Sequence, residues 1–479
     1  MSKPLYITTT LPYVNADPHI GFAVEILQAD VLARAARLVG REVFFNTGTD
    51  EHGQKIFDTA EKNNEDIKQY VDRYAEEVRK LREALNISTD AFVRTTDEHH
   101  RHAAQELWKR CEAKGDIEKK KYKGLYCVGC EKYLTEKDLE GGKCPLHPGQ
   151  EPQIIEEENY FFKLSNYQRQ LEAYLENSGV IIPEHRRQEA LNFVKGGLED
   201  FSVSREKEKL SWGVPVPGDD SQVMYVWFDA LTNYISTLGW PNDTEGKFKK
   251  FWEEGETLQM AGKDQVRFQS IMWQGMLLSA GIKATDKVFY HGFINSGGQR
   301  MSKSLGNVIN PSELVERYGT DATRLLLLKH VHPIEDTDVT WQRLDEWYTA
   351  DLVNGFGNLV ARIMKLAETH LDTGIERPDD TAGFPKEYTE PIALFRLDQS
   401  LDYVWKRVGE LDEKITTTEP FKLIKIDEEE GKKLIGELVE ELYLITRMLN
   451  PFLPETNNRV KEAILQNQKP ENLFPRLEK

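Results

Sequence analysis

LYITTTLPYVNADPHIGFAVEILQADVLARAARLVGREVFFNTGT, residues 5–49, decides the fold. Residues 5–10 have the short alternating pattern of a strand. The loop that follows carries turn chemistry at Pro12, Asn15, Asp17-Pro18 and Gly21. From Ala23 to Leu38 the apolar residues Val24, Ile26, Leu27, Val31, Leu32 and Leu38 recur at helical spacing, and Gly40 ends the run. REVFFNTGT, residues 41–49, reads as a second strand. Strand, helix and strand in so short a span predict a parallel βαβ unit.

Outward from this unit, residues 55–112 read as helical and polar on one side. At Lys114 the texture changes. Residues 114–222 hold a cysteine cluster, many Gly and Pro, and short strand-like runs such as NYFFKL (159–164) and the WGVPVP loop (212–217). An apolar segment, YVWFDALTNYI, begins at Tyr225. TLQMAG (257–262) and KVFYHGFI (287–294) are strand-like and bracket a helix near 265–280, which is βαβ texture again. The middle block therefore reads as an insert in one α/β domain. After Asn307 the pattern is helical: Leu352, Phe356, Leu359, Ile363 and Leu366 keep a spacing of three to four residues, and 391–466 continues in that style.

The totals agree with a soluble multidomain chain. It has 479 residues, 39% hydrophobic and 30% charged, enough for about three domains at ~150 residues each. No apolar run reaches the ~18 residues of a membrane span, and no signal-peptide pattern opens the chain. A cytoplasmic location is expected. The net charge of −18 argues against general tracking of polyanions, which needs a basic footprint; a local basic patch remains compatible. Four cysteines in a chain of this length are not a disulfide framework.

Three of the four cysteines cluster. GLYCVGCEKYLTEKDLEGGKCPLHPG, residues 124–149, gives Cys127-x2-Cys130, thirteen residues, then Cys144-x2-His147. Three thiolates and one imidazole can close a tetrahedral zinc shell of the structural kind. Gly141-Gly142 and Pro145 supply bends. Buried thiols with a surface histidine are the alternative. Cys111 lies outside the pattern and is expected in the core.

Two loops suit a nucleotide. His19 in PHIGF precedes a helix N-terminus, where free N–H groups and the helix dipole favour an anion. Alone, the pentapeptide fits a capping role equally well. NSGGQRMSKSLGN, residues 295–307, is Gly-rich, Ser-rich and basic, and Lys303 between Ser302 and Ser304 suits a pyrophosphate. A solvated surface turn is the other reading of that loop.

Taken together, PHIGF and RMSKS resemble the two signatures of the class I aminoacyl-tRNA synthetases. LPYVNADPHIGF, GTDEHG, YVWFDA, GKD and RMSKSLGN, in this order and with the cysteine cluster between them, resemble the methionyl-tRNA synthetase family over nearly the whole chain. Three positions depart from the family pattern: Phe22 replaces the second histidine of the first signature, Arg300 the first lysine of the second, and Gln269 a histidine beside the methionine side chain.

The resemblance implies an α/β fold: a Rossmann-type parallel-sheet catalytic domain in two halves (1–113 and 223–322), an inserted zinc-knuckle domain (114–222), and a stem-contact region with an all-α helical bundle (323–479). It implies activation of L-methionine by ATP with Mg²⁺, then transfer to tRNA(Met). His19, Gly21, Gly262, Asp264, Ser302 and Lys303 would bind ATP, with His19, Lys303 and Arg300 stabilising the transferring phosphates. Leu11, Tyr13, Asp50, Trp227, Ala230, Tyr234, Phe268 and Gln269 would bind methionine, Asp50 taking its ammonium. Trp227, Ala230 and Tyr234 also fall at i, i+3 and i+7, the spacing of one helix face. Without the resemblance they read as an aromatic core stripe. Cys127, Cys130, Cys144 and His147 would hold one structural Zn²⁺. Asn358 and Arg362, four apart on a helix, match the anticodon-reading pair, and Phe421 the stacking position; a solvated helix face is the alternative. The family's C-terminal dimer-forming extension has no counterpart here, so a monomer is expected. The rival readings are a sister class I synthetase, a small nucleotidylyltransferase, and a non-catalytic tRNA-binding paralog, the last prompted by Phe22.

Overall fold

The structure is a computed structural model that describes residues 2–15, 17–129, 132–134, 139–145, 149, 151–301, 307–376 and 383–477, with backbone alone at 132, 133 and 300. It divides into two compact units. The first comprises Met1–Pro18, Arg41–Lys80 and Thr89–His291; the second comprises His19–Gly40, Leu81–Ser88 and Gly292–Lys479.

In chain order, β1 (Leu5–Thr8), α1 (Ile20–Leu38) and β2 (Val43–Thr49) precede α2 (Gln54–Lys62), α3 (Ile67–Ala84), β3 (Ala91–Arg94) and α4 (Glu98–Ala113). The middle stretch holds β4 (Ile117–Cys127), β5 (Lys132–Leu134), β6 (Gln153–Phe162), α5 (Gln168–Glu176), β7 (Ile181–Ile182), α6 (Glu184–Lys195), β8 (Phe201–Ser202), β9 (Ser204–Glu206), β10 (Pro215–Val216) and β11 (Asp219–Met224). Then come α7 (Val226–Leu231), α8 (Asn233–Ser236), β12 (Glu256–Gly262), α9 (Trp273–Ser279) and β13 (Lys287–His291). The last part contains β14 (Ile294–Ser296), β15 (Gln299–Arg300), α10 (Pro311–Tyr318), α11 (Thr320–His330), β16 (Thr337–Asp338), α12 (Trp341–Trp347), α13 (Gly357–His370), α14 (Lys386–Ala393), α15 (Leu397–Thr418), α16 (Pro420–Ile426), α17 (Glu428–Leu449) and α18 (Pro454–Gln466).

The first unit is built on a six-stranded sheet in the order β3-β2-β1-β12-β13-β7. All five pairings are parallel. β1 is buried along its whole length, as a strand covered on both faces must be. The order reverses between β1 and β12, so the carboxyl ends of these two strands border the crevice where doubly wound sheets bind ligands.

Several expected boundaries move. Residues 55–112 are not helical throughout: β3 interrupts them as the edge strand next to β2. Four residues, AFVR, are too few to show a period. The first strand ends at Thr8, and α1 begins at Ile20 rather than Ala23. The apolar run 287–294 splits after His291. Gly292 lies against the backbone of Glu335, where a Cβ would meet the carbonyl carbon at 2.4 Å, and β14 goes on to pair with β15 and β16. Within 114–222, β5, β4, β6 and β8 form an antiparallel sheet of their own, while β7 pairs parallel with β13 and so extends the main sheet. The basic run at 119–123 lies on β4, with Lys121 and Lys123 opposite Glu158 and Glu156 of β6.

In the second unit the predicted stripe is real. Leu352, Phe356, Leu359 and Ile363 are buried, and Leu366 is half-buried. An ion cluster ties α1 to α11: Asp30 accepts from Arg324 at 2.7 Å, Arg34 at 2.7 Å and the Ser88 hydroxyl at 2.6 Å. Burial alone would raise the Asp30 pKa, and the two guanidiniums more than offset this, leaving it lowered.

Candidate functional site

The β2 strand delivers Asp50, Glu51 and His52 into a turn whose backbone is pinned. Asp50 N–H donates to Pro12 O at 3.0 Å, and Val14 N–H donates to Asp50 O at 3.1 Å, so Tyr13 and Asp50 pair as a parallel bridge. Two predicted methionine ligands from separate loops are thus side by side, with Leu11 half-buried just ahead. Glu51 is fully buried and accepts from Arg94 at 2.6 and 2.9 Å. Asp50 itself is 7% exposed.

A second group of predicted methionine ligands comes from α7, α8 and the wide π-type turn Phe268–Met272. Trp227 and Phe268 stack with ring centroids 3.8 Å apart and planes at 16°. Gln269 donates its amide to the Tyr234 hydroxyl. Ala230 and Tyr234 are buried. The predicted single helix face runs over two short helices joined at Thr232, whose backbone is itself right-handed helical.

At the end of β12, Gly262 is constrained by its neighbours. A Cβ there would stand 2.7 Å from Asp264 Oδ1 and 3.7 Å from His291 Nε2. Asp264 is exposed. His291, which the sequence reading did not single out, stands with them.

In the second unit His19 caps α1, its Nδ1 accepting from Gly21 N–H at 3.0 Å. In the neutral ring the proton then resides on Nε2, where it can be donated to an anion. Gly21 is required by this cap, because a Cβ would lie 2.8 Å from His19 Cε1. His19 is exposed, whereas Phe22 is 7% exposed. The basic loop starts from a tight hairpin: Gly297 and Gly298 have φ of 64° and 74°, and Ser296 pairs with Gln299. Arg300 closes β15; its side chain, Ser302 and Lys303 lie outside the described residues.

Within 114–222, Cys127 and Cys144 are buried in one small cluster with Leu134, flanked by Leu125 and Leu139. Gly141 and Gly142, with φ of 59° and 81°, form the turn that pairs Glu140 with Lys143. Cys130 and His147 lie outside the described residues, and no group of three ligating side chains occurs among those described. Cys111 is a core thiol, fully buried, and burial pushes its pKa up to about 12.

On the helical face, Arg362 and Phe421 line one groove of about 430 Å³ with Lys365, Leu366, Ile415 and Lys469. Arg362 is held by Asp412. Phe421 is 43% exposed, and Asn358 is exposed one turn before Arg362 on α13.

Comparison with known proteins agrees with this arrangement. The family model described as tRNA synthetases class I (M) matches residues 5–148 and 146–364. A methionine–tRNA ligase of Caldanaerobacter subterraneus subsp. tengcongensis is 38% identical over 478 residues, covering 97% of this chain and 74% of that protein. One of Rhizobium meliloti is 37% identical over 97% of this chain and 92% of its own. The chain belongs to the methionyl-tRNA synthetase family.

Mycobacterium tuberculosis methionyl-tRNA synthetase in complex with methionyl-adenylate has the same fold, with a TM-score of 0.89 at 33% identity over 99% of this chain and 98% of that one. Membership settles the reaction class as ATP-dependent aminoacyl-tRNA ligation with methionine, and the sister-synthetase and nucleotidylyltransferase readings fall away. The sequence reading of this synthetase missed the buried partners of its own motifs: Arg94 for Glu51, Asp229 for His52, and His100 for Asp229. YVWFDA carries the signal, a charged residue inside an apolar run. The partners are far apart in the chain.

Proposed function

We propose that the methionine carboxylate attacks the α-phosphorus of ATP at this site, forming a P–O bond as pyrophosphate leaves, and that the methionyl group then passes to the 3′-terminal adenosine of tRNA(Met). No protein nucleophile is needed. Positioning and stabilisation of spreading negative charge do the work. Asp50 receives the ammonium. Leu11, Tyr13, Trp227, Ala230, Tyr234, Phe268 and Gln269 enclose the thioether, for which sulfur–aromatic contact adds ~0.3–1.5 kcal/mol. His19 and the N-terminus of α1 meet the phosphates, Gly21 and Gly262 allow close approach, and Asp264 holds the ribose. Arg300, Ser302 and Lys303 take the pyrophosphate end, with Mg²⁺ supplied with ATP.

Supporting this reading above all is the Tyr13–Asp50 bridge in the same unit as the Trp227–Phe268 stack, an anion and an aromatic surface that suit the two ends of methionine. Trp227→Ala should raise the methionine KM in ATP–pyrophosphate exchange at least ~10-fold with the ATP KM unchanged. Equal shifts in both would overturn the assignment.

The segment 114–222 acts as a connective domain between the catalytic halves 1–113 and 223–322, and 323–479 holds the stem-contact and anticodon region. Cys127, Cys130, Cys144 and His147 hold one structural zinc; the two buried thiols in a single cluster suit such a shell, and the metal would supply cross-linking, not chemistry. Elemental analysis should find about one zinc per chain, and a content near zero overturns this. Asn358, Arg362 and Phe421 read the anticodon, Phe421 by stacking on an unpaired base.

A further inference from the structure

Three buried polar side chains beside the pocket have no part in the chemistry above. Asp229 is 1% exposed, His100 is fully buried and His52 is 4% exposed. Both carboxylate oxygens of Asp229 are occupied: Oδ2 lies 2.6 Å from His52 Nδ1 and Oδ1 lies 2.8 Å from His100 Nε2. His100 Nδ1 in turn lies 2.9 Å from Ser236 Oγ. Placing a carboxylate in the interior costs several kcal/mol before its partners repay it, and apolar residues of the same volume pack at no such cost. The network therefore does something that packing alone does not.

Its members sit at particular places. His52 is two residues from Asp50 on the same turn. Asp229 lies between Trp227 and Ala230 on α7, and Ser236 follows Tyr234 by two. The backbone on the Asp50 side is already tied by the bridge to Tyr13, Glu51 between them is clamped by Arg94, and Trp212 packs edge-on against His52 at 5.5 Å while its indole N–H donates to Glu51 O at 2.6 Å. The His52–Asp229 pair links this turn directly to α7.

We propose that Asp229, with His52 and His100, is a positioning network that sets the distance between the ammonium site at Asp50 and the aromatic wall at Trp227, and so gauges the length of the amino acid. This rests on the methionine-pocket reading given above. A fixed gap at both ends of an unbranched substrate converts one extra methylene into a clash, and one methylene is worth ~1–3 kcal/mol in a rigid pocket.

The test is methionine-dependent and ethionine-dependent ATP–pyrophosphate exchange on Asp229→Asn, His52→Gln and His100→Gln, with Trp227→Ala as the control. Asp229→Asn and His52→Gln should raise the methionine KM at least ~10-fold and lower the preference for methionine over ethionine at least ~3-fold, while kcat and the ATP KM stay within ~3-fold. His100→Gln should do the same more weakly. If Trp227→Ala leaves the methionine KM unchanged, the pocket assignment itself fails. If Trp227→Ala shifts it and neither Asp229→Asn nor His52→Gln does, the network proposal alone fails. Parallel losses for methionine and ATP overturn the proposal in favour of a general structural role. Should Asp229→Asn not fold, the two histidine variants decide.

Discussion

At the turn after β2, three consecutive polar residues are buried and their backbone or side chains tied by named partners. At the start of α1 the pattern is the reverse: His19 is exposed with one ring nitrogen engaged by its own helix, and the neighbouring Phe22 is buried. The first region fixes its side chains in one geometry, at the cost of desolvating several charges. The second leaves a histidine exposed at a helix N-terminus, where the helix dipole favours an anion. The groove at Arg362 and Phe421 follows the second pattern, with half-exposed side chains that a flexible partner can engage.

If that contrast is right, the exposed donor acts on rate and the buried turn on affinity. His19→Ala should lower the adenylation rate at least ~10²-fold, the loss seen when one preorganised donor is removed, with little change in methionine KM. A comparable rise in methionine KM would erase the distinction. Arg362→Ala should reduce tRNA charging by ~10-fold, in line with a base contact of ~1–3 kcal/mol, and leave adenylate formation near wild type; equal losses in both steps would place the residue in folding or in the active site. Phe22→His should stay within ~3-fold of wild type or be mildly activating, as expected if His19 and the helix end already supply the donors. Loss of exchange in the native chain with recovery in Phe22→His would make the signature a relic and revive the non-catalytic reading.

A separate effect is on stability. Asp229 is held at about 2: burial pushes it up, and His52 and His100 pull it further down. Its folded value lies below the ordinary carboxylate value near ~3.9, so its contribution is present above about pH 4 and is lost as the pH falls towards about 2. Urea unfolding between those limits should lose on the order of 2 kcal/mol more in the native chain than in Asp229→Asn. Identical pH slopes would show that the carboxylate is not held low in the fold.

Residues 5–49 already contained the parallel βαβ unit, because period two and period 3.6 are local properties of the chain. Gly262 came only with the family resemblance, whereas the turn at Gly21 and the capping reading of His19 were legible for the same reason: each acts within a few residues of itself. So was the helical stripe from Leu352 to Ile363. The edge strand β3 was not, since four residues carry no period, and β7 was hidden within 114–222 by its length of two. The partners of the site were also beyond reach. His52 meets Asp229 across 177 residues and His100 meets Asp229 across 129, and nothing in local composition specifies which buried acid finds which buried base. Chemistry type was therefore written in the motifs. The distances between the turn after β2, α4 and α7 were decided by tertiary structure, because only packing brings these elements together and removes the water that would otherwise solvate their charges.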